Sequence, residues 1–178
     1  MTTKKTPPSA AAILERAFSL TNEAMFTVAL QIRRLGSEEP EDKDFVMRWW
    51  ADLQFLIVAL RRLRRAAELA ARVDDPSASV RKAIALFDAE LPALRVMRNV
   101  GEHIDEYAVD HPRRHHEEID RRQLQVGSWD GRVYRWLQDQ SGEQLELDAD
   151  RAKTAAEQLF EEVRSLYRVG VRSCGHGV

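Results

Sequence analysis

At 178 residues the chain is long enough for one ordinary domain with a real core and too short for two comfortable ones. Hydrophobic residues make up 44% and charged residues 31%, with only 8 Gly and 6 Pro, which excludes a disordered chain and fits a folded helical protein. The 27 basic and 29 acidic residues leave a formal charge of −2, so no global field draws the chain to nucleic acid or anionic lipid, and any such partner has to be held by a local patch.

Residues 1–9 are polar with a Pro pair and predict a flexible arm. Their two lysines precede no apolar core, and the strongest apolar run, "FLIVAL", is too short to span a bilayer. Cys174 is the only cysteine and has no partner for an internal disulfide. Together these features predict a soluble, cytoplasmic protein with no membrane partner.

From about Ala10 to Leu35, Ile13, Ala17, Leu20, Ala24, Val28 and Ile32 recur at helical spacing, until "GSEEPED" ends the pattern. A second helix is expected from about Asp42 to Val73, with Phe45, Trp49, Leu53, Leu56, Leu60, Leu63 and Ala67 as its buried stripe. Ser77 to about Leu91 reads as a third, and Pro92 either kinks the chain or opens the next helix. Residues 109–122 are a charged connector. Then "QLQVGSW", "RVYRWLQ" and "EQLELD" each alternate, separated by the turn pairs Asp130-Gly131 and Ser141-Gly142. A last helix from about Ala149 to Tyr167 buries Ala152, Ala155, Ala156, Leu159, Val163 and Leu166, and residues 169–178 read as a loose tail. The expected fold is all-α: an up-down bundle of four to five helices spanning residues 10–168, with a small β-hairpin or meander inserted at about 123–148, before the last helix.

The stretch "RVMRNVGEHIDEY" carries the chemistry. On an ideal helix advancing about 100° per residue, Arg95, Arg98, Asn99, Glu102, His103 and Glu106 gather in one polar arc, while Met97, Val100, Ile104, Tyr107 and Ala108 form the packing side. Arg98 offers a permanently charged planar fork suited to phosphate oxygens, and His103 titrates near neutral pH and so can take or give a proton. These are the parts needed for attack by an RNA 2′-hydroxyl on its own phosphate, with His103 as acid or base, Arg98 offsetting phosphoryl charge, and no metal required. Asn99, one turn before His103, can orient the imidazole or a substrate oxygen; Glu102, repulsive to phosphate, has no firm role. The same arc is also what a solvated helix face looks like, and helix geometry alone leaves both open.

At these residues the sequence resembles the HEPN superfamily, small all-α proteins whose signature is an Arg, usually followed by Asn, Asp or His, and a His after a short spacer. "RNVGEH" fits as Arg98, Asn99 and His103, with four residues between Arg and His. The resemblance covers roughly residues 10–108 and the final helix. It implies a helical bundle with the motif in a late helix and, for many members, a metal-independent endoribonuclease whose composite site forms where two subunits meet. It therefore implies RNA as substrate, a homodimer, and a possible antitoxin partner protein, toxins and anti-phage nucleases being typical members. Toxin members paired with a nucleotidyltransferase antitoxin commonly carry a Tyr two residues after the His, as a site of AMP attachment. Asp105 stands there and Tyr107 lies two further on, so that control is not implied.

In the connector "DHPRRHHEEIDRR", Arg113 and Arg114 are candidates, with Arg95, for holding flanking phosphates; acids in the same run dilute the field, and a solvated loop is the competing reading. His111 and His115 have metal-pair spacing, but Pro112 intervenes and no third ligand is placed, so neither a metal site nor a cofactor is expected. Arg61, Arg62, Arg64 and Arg65 can bind RNA backbone or simply cover the outside of a helix. Of Trp49, Trp50, Trp129, Tyr134 and Trp136, an exposed hairpin Trp would be the best base-stacking candidate. The competing functions are a catalytically silent RNA- or protein-binding module of the same fold, and a helical dimerisation or scaffold protein.

Overall fold

The computed structural model describes residues 7–73, 78–109, 111, 119, 121–138 and 142–174. Ser9 opens α1, Ala10–Leu35, its hydroxyl accepting a hydrogen bond from the Ala12 N–H at 3.2 Å. That bond satisfies a donor the first helical turn leaves free. The buried line of α1 is Leu14, Ala17, Thr21, Ala24, Val28 and Gln31, with Ile13, Leu20 and Ile32 half-buried beside it. Thr21 tolerates the core because its hydroxyl donates to the Ala17 carbonyl at 2.7 Å.

The second helix does not begin at Asp42. Pro40–Lys43 form a short 3-10 turn, and α2 runs from Arg48 to Ala70. Phe45, expected in the buried stripe, is 66% exposed. The reason is a competing hydrogen-bond pattern: the Glu39 N–H donates to Asp42, and Arg48 donates to Asp42 and to the Ser37 carbonyl, which fixes the segment as a loop. The rest of the expected stripe holds, with Leu53, Leu56, Leu60, Leu63 and Ala67 buried and Trp49 packed at the core edge.

Next come α3, Ala78–Glu90, and α4, Leu94–Glu102, separated by a turn through Pro92, and then α5, Ile104–Ala108. A three-stranded antiparallel sheet follows in the order β1, Ser128–Trp129, β2, Val133–Gln138, and β3, Gln144–Asp148. Asp130 closes the first turn by accepting from the Arg132 and Val133 N–H groups at 2.9 and 2.7 Å, with Gly131 at φ +96°. In β2 the register shifts between Arg135 and Gln138, and Leu137 takes φ +65°. This bulge breaks the alternation, so the consecutive side chains Trp136 and Leu137 are both buried.

Asp148 then starts α6, Ala149–Cys174, by accepting from the Asp150 and Arg151 N–H groups at 2.9 and 3.1 Å. Its expected apolar stripe is buried throughout. The helix nevertheless continues past Tyr167, through residues expected to be a loose tail. Packing explains this: Phe18 stacks on Tyr167 with centroids 4.4 Å apart, and Gly170 lies so close to α1 that a Cβ there would stand 2.7 Å from Leu14 Cδ1. Helix α2 packs against α1, α3, α4 and α6, and the helices share one apolar core with the inner face of the sheet. The fold is mostly helical, with the small sheet set before the last helix. Among the described residues no helix is long and apolar enough to cross a membrane.

Candidate functional site

The residues of the sequence motif fall on α4 and at its end. Leu94, Met97 and Val100 are buried in the core, which leaves Arg95 exposed and Arg98, Asn99 and Glu102 on the outer flank. The Arg98 side chain is 19% exposed; it pairs with Glu102 one turn on, and its Nη1 donates to Asn99 Oδ1 at 3.3 Å. Arg98, Asn99 and Glu102 therefore form one local cluster.

His103 is not helical. Its φ of −127° and ψ of 31° break the expected continuous helix into α4 and α5. The His103 N–H closes α4 on the carbonyls of Asn99 and Val100 at 3.1 and 3.3 Å, and its own carbonyl accepts from Glu106 and Tyr107 to start α5. The break redirects the chain: Ile104, on the packing side of an ideal helix, is 42% exposed, while Tyr107 is buried. The calculated arc is thus valid only as far as Glu102. The His103 side chain is 38% exposed, and its Nδ1 lies 3.8 Å from Glu106 Oε1. Sequence reasoning put Glu106 in the polar arc without a role, although its spacing of three from His103 was a usable signal. Arg98 and His103 stand beside different carboxylates: Arg98 pairs with Glu102, and His103 lies near Glu106. Arg113 and Arg114, like His115 and His116, lie outside the described residues.

Beside this cluster is a cleft of about 350 Å³ between α2, α4 and the segment leading into β1. Trp50, Gln54, Phe55 and Val58 line one side, Arg98, Gly101, Glu102 and Ile104 another, and Leu124, Gln125, Val126 and Trp136 the third. Two hydrogen bonds from β2 pin that third wall: Trp136 Nε1 donates to the Gln125 carbonyl at 2.6 Å and the Tyr134 hydroxyl to the Val126 carbonyl at 2.8 Å. Burial pushes the Tyr134 hydroxyl above its ordinary titration range, partly opposed by the neighbouring Trp50 and Gln54 side chains. Gln54 Nε2 is buried in the α2 wall. Gly101 lets α4 come close, since a Cβ there would stand 3.0 Å from Gln54 Oε1 and 4.0 Å from the Trp136 ring. The aromatic surface facing this site comes from helix residues Trp50 and Phe55, which is 62% exposed, and from buried Trp136. An exposed hairpin Trp was the expected stacking candidate, but Trp129 is half-buried and Trp136 is buried.

In the basic run on α2, Arg64 is committed to structure: its Nε and Nη2 hold Asp88 of α3 at 2.5 and 2.7 Å, and it also pairs with Glu68. Burial lowers the pKa of Arg61, as do the neighbouring charges of Arg64 and Arg65. Among the described residues no group of three or more His, Cys, Asp or Glu side chains is placed to hold a metal ion.

Chemically, the site offers a half-exposed imidazole near a carboxylate. It also offers a guanidinium at the edge of an aromatic cleft, neutralised by a carboxylate of its own helix. No family model, curated protein or solved structure matches the chain.

Proposed function

We propose that the chain is a HEPN-like endoribonuclease that cleaves RNA without a metal, at a composite site formed by two copies, acting in toxin–antitoxin or anti-phage defence. In this reading the helices form the up-down bundle of that superfamily, and the sheet is an insertion serving substrate or the dimer contact. The observation that carries it is the arrangement at the end of α4, where Arg98 lines a cleft and a half-exposed His103, its Nδ1 3.8 Å from Glu106, follows at the helix end. His103 takes the proton of the RNA 2′-hydroxyl as that oxygen attacks the adjacent phosphorus. The His103 of a second subunit gives a proton to the departing 5′-oxygen, and the products are a cyclic phosphate and a 5′-hydroxyl. Arg98 offsets charge on the phosphoryl oxygens once substrate draws it from Glu102, and Asn99 and Arg95 hold flanking groups.

Purified protein incubated with mixed RNA and a chelator is expected to yield fragments ending in cyclic phosphate. His103→Ala should slow that cleavage by about 10² to 10⁴-fold. Cleavage that persists in the variant, or that requires a divalent metal, contradicts the mechanism. One observation favours a second reading, a catalytically silent RNA-binding module: Arg98 already has its charge met by Glu102. That reading requires binding without cleavage, and an Arg98→Ala loss of affinity that shrinks as salt rises.

A further inference from the structure

We infer that the outward face of α2 beyond the cleft, formed by Arg61, Arg62 and Arg65, binds the phosphate backbone of a single RNA strand. The inference rests on the ribonuclease reading and adds where the strand is held outside the site.

The four arginines of the run divide by partner. Arg64 is taken up by Asp88 and Glu68. Among the described residues Arg61, Arg62 and Arg65 make no ion pair or hydrogen bond, and the Nε of Arg61 is buried without a partner. Arg62 and Arg65 are exposed. Like charges three and four residues apart on a helix face repel, so Arg65 beside both Arg61 and Arg62 is unfavourable as it stands. Burial lowers the Arg61 pKa, and the charges of Arg64 and Arg65 add to that. Holding the fold together accounts for Arg64 and leaves the other three unexplained, whereas an anion laid across them removes the repulsion.

Helix geometry puts these three beside the candidate site. At about 100° per residue from Arg61, Arg65 lies at about 40° and Arg62 at about 100°, while Gln54 and Val58 of the cleft lie at about 20° and 60°. The arginines therefore continue the cleft wall along α2, with Arg65 about 10 Å beyond Val58.

The surroundings select the occupant. Arg62 and Arg65 line a groove of about 420 Å³ against α1, in which no aromatic side chain offers an anchor for a protein partner. Glu23, the carboxylate of this groove, accepts from the Ser19 hydroxyl at 3.4 Å and pairs with neither arginine. Guanidinium forks without a carboxylate suit phosphate oxygens. With a net charge of −2, the chain can hold a polyanion only at such a local patch. An acidic peptide would answer the charge, but only a strand running on from the phosphate at the site gives a reason for the patch to continue the cleft.

The test uses a labelled 2′-O-methyl oligouridylate, which keeps the phosphates and lacks the hydroxyl that cleavage needs, with binding to the full chain read by fluorescence anisotropy. For wild type, log K should fall with log salt at a slope of about −2 or steeper, as three neutralised phosphates of a single strand require. Arg62→Gln combined with Arg65→Gln should weaken binding at least about tenfold at low salt and make the slope shallower by about 1.4. Lys82→Gln combined with Lys153→Gln removes equal charge from α3 and α6 and should leave the slope unchanged. No binding by wild type, a wild-type slope shallower than about −1, a polyglutamate of equal charge bound as tightly, or equal losses in the two double variants would each overturn the inference. The wild-type slope and the polyglutamate comparison decide it even if the arginine variant does not fold. Scoring cleavage of ordinary RNA separately keeps the two readings apart. Arginine-dependent binding by a protein that never cleaves RNA supports the patch and sinks the nuclease. His103-dependent cleavage with an unchanged KM in the arginine variant does the opposite.

Discussion

Arg48, at the start of α2, and Arg98, near the end of α4, both meet carboxylates, but their partners come from different places. Arg48 donates to Asp42 before its helix, to Asp52 within it, and to the carbonyls of Arg34 and Ser37 at the end of α1. Arg34 Nε binds the same buried Asp52 at 2.8 Å, so two helix ends and the loop between them close on one carboxylate. Arg98 pairs with Glu102 and donates to Asn99, both on its own helix, and the Glu102 side chain is 40% exposed. A charge satisfied from several elements holds a fold together; a charge satisfied locally, at the edge of a cleft, can change partner at little cost. Residue type does not separate the two roles, and the origin of the partners does.

Removing Asp52 should therefore have the largest effect. Asp52→Ala leaves Arg34 and Arg48 without their shared buried partner, though Arg48 keeps Asp42, and is expected to cost about 1.5–3 kcal/mol in urea denaturation. A loss under about 1 kcal/mol would erase the contrast with Arg98. Acid comes next. The Arg48 hydrogen bond, with help from the Glu39 N–H, holds Asp42 at about 2, below its ordinary 3.8. A depressed carboxylate stabilises the fold fully above its unfolded value, and the contribution is lost as pH falls through the folded one. The thermal midpoint should thus fall between about pH 4 and pH 2, and Asp42→Asn should flatten that decline while lowering the midpoint at neutral pH. An undiminished acid slope in Asp42→Asn would remove this carboxylate from the clamp. The smallest effect belongs to Arg98→Ala, whose lost pair lies within one helix; it should change stability by no more than about 1 kcal/mol. A larger loss would make Arg98 structural, like Arg48.

The legible parts were those fixed by near neighbours. The stripe of α6 was visible because Ala152, Ala155, Ala156, Leu159, Val163 and Leu166 repeat with the helix itself. Asp130-Gly131 announced its turn because an aspartate that caps the next two N–H groups and a residue free to take positive φ act within four positions. Arg98 and Asn99 were placed correctly relative to one another for the same reason. His103 was not, since an ideal helix could not show that the chain breaks there and releases Ile104 to solvent, although Tyr107 is buried as that helix implied.

By itself, then, the sequence determined the order of elements, the inward faces of the long helices, the turns of the sheet and the polar cluster around Arg98, all set by periodicity and chemistry local in the chain. Only the tertiary structure decided that Phe45 stays out, that α6 runs on past Tyr167, that Leu137 bulges inward beside Trp136, and that Trp50, Phe55 and Gly101 meet around a cleft. Phe45 is set by hydrogen bonds around Asp42 that hydrophobic periodicity does not register, and the others depend on side chains far apart in sequence competing for the same core or surface.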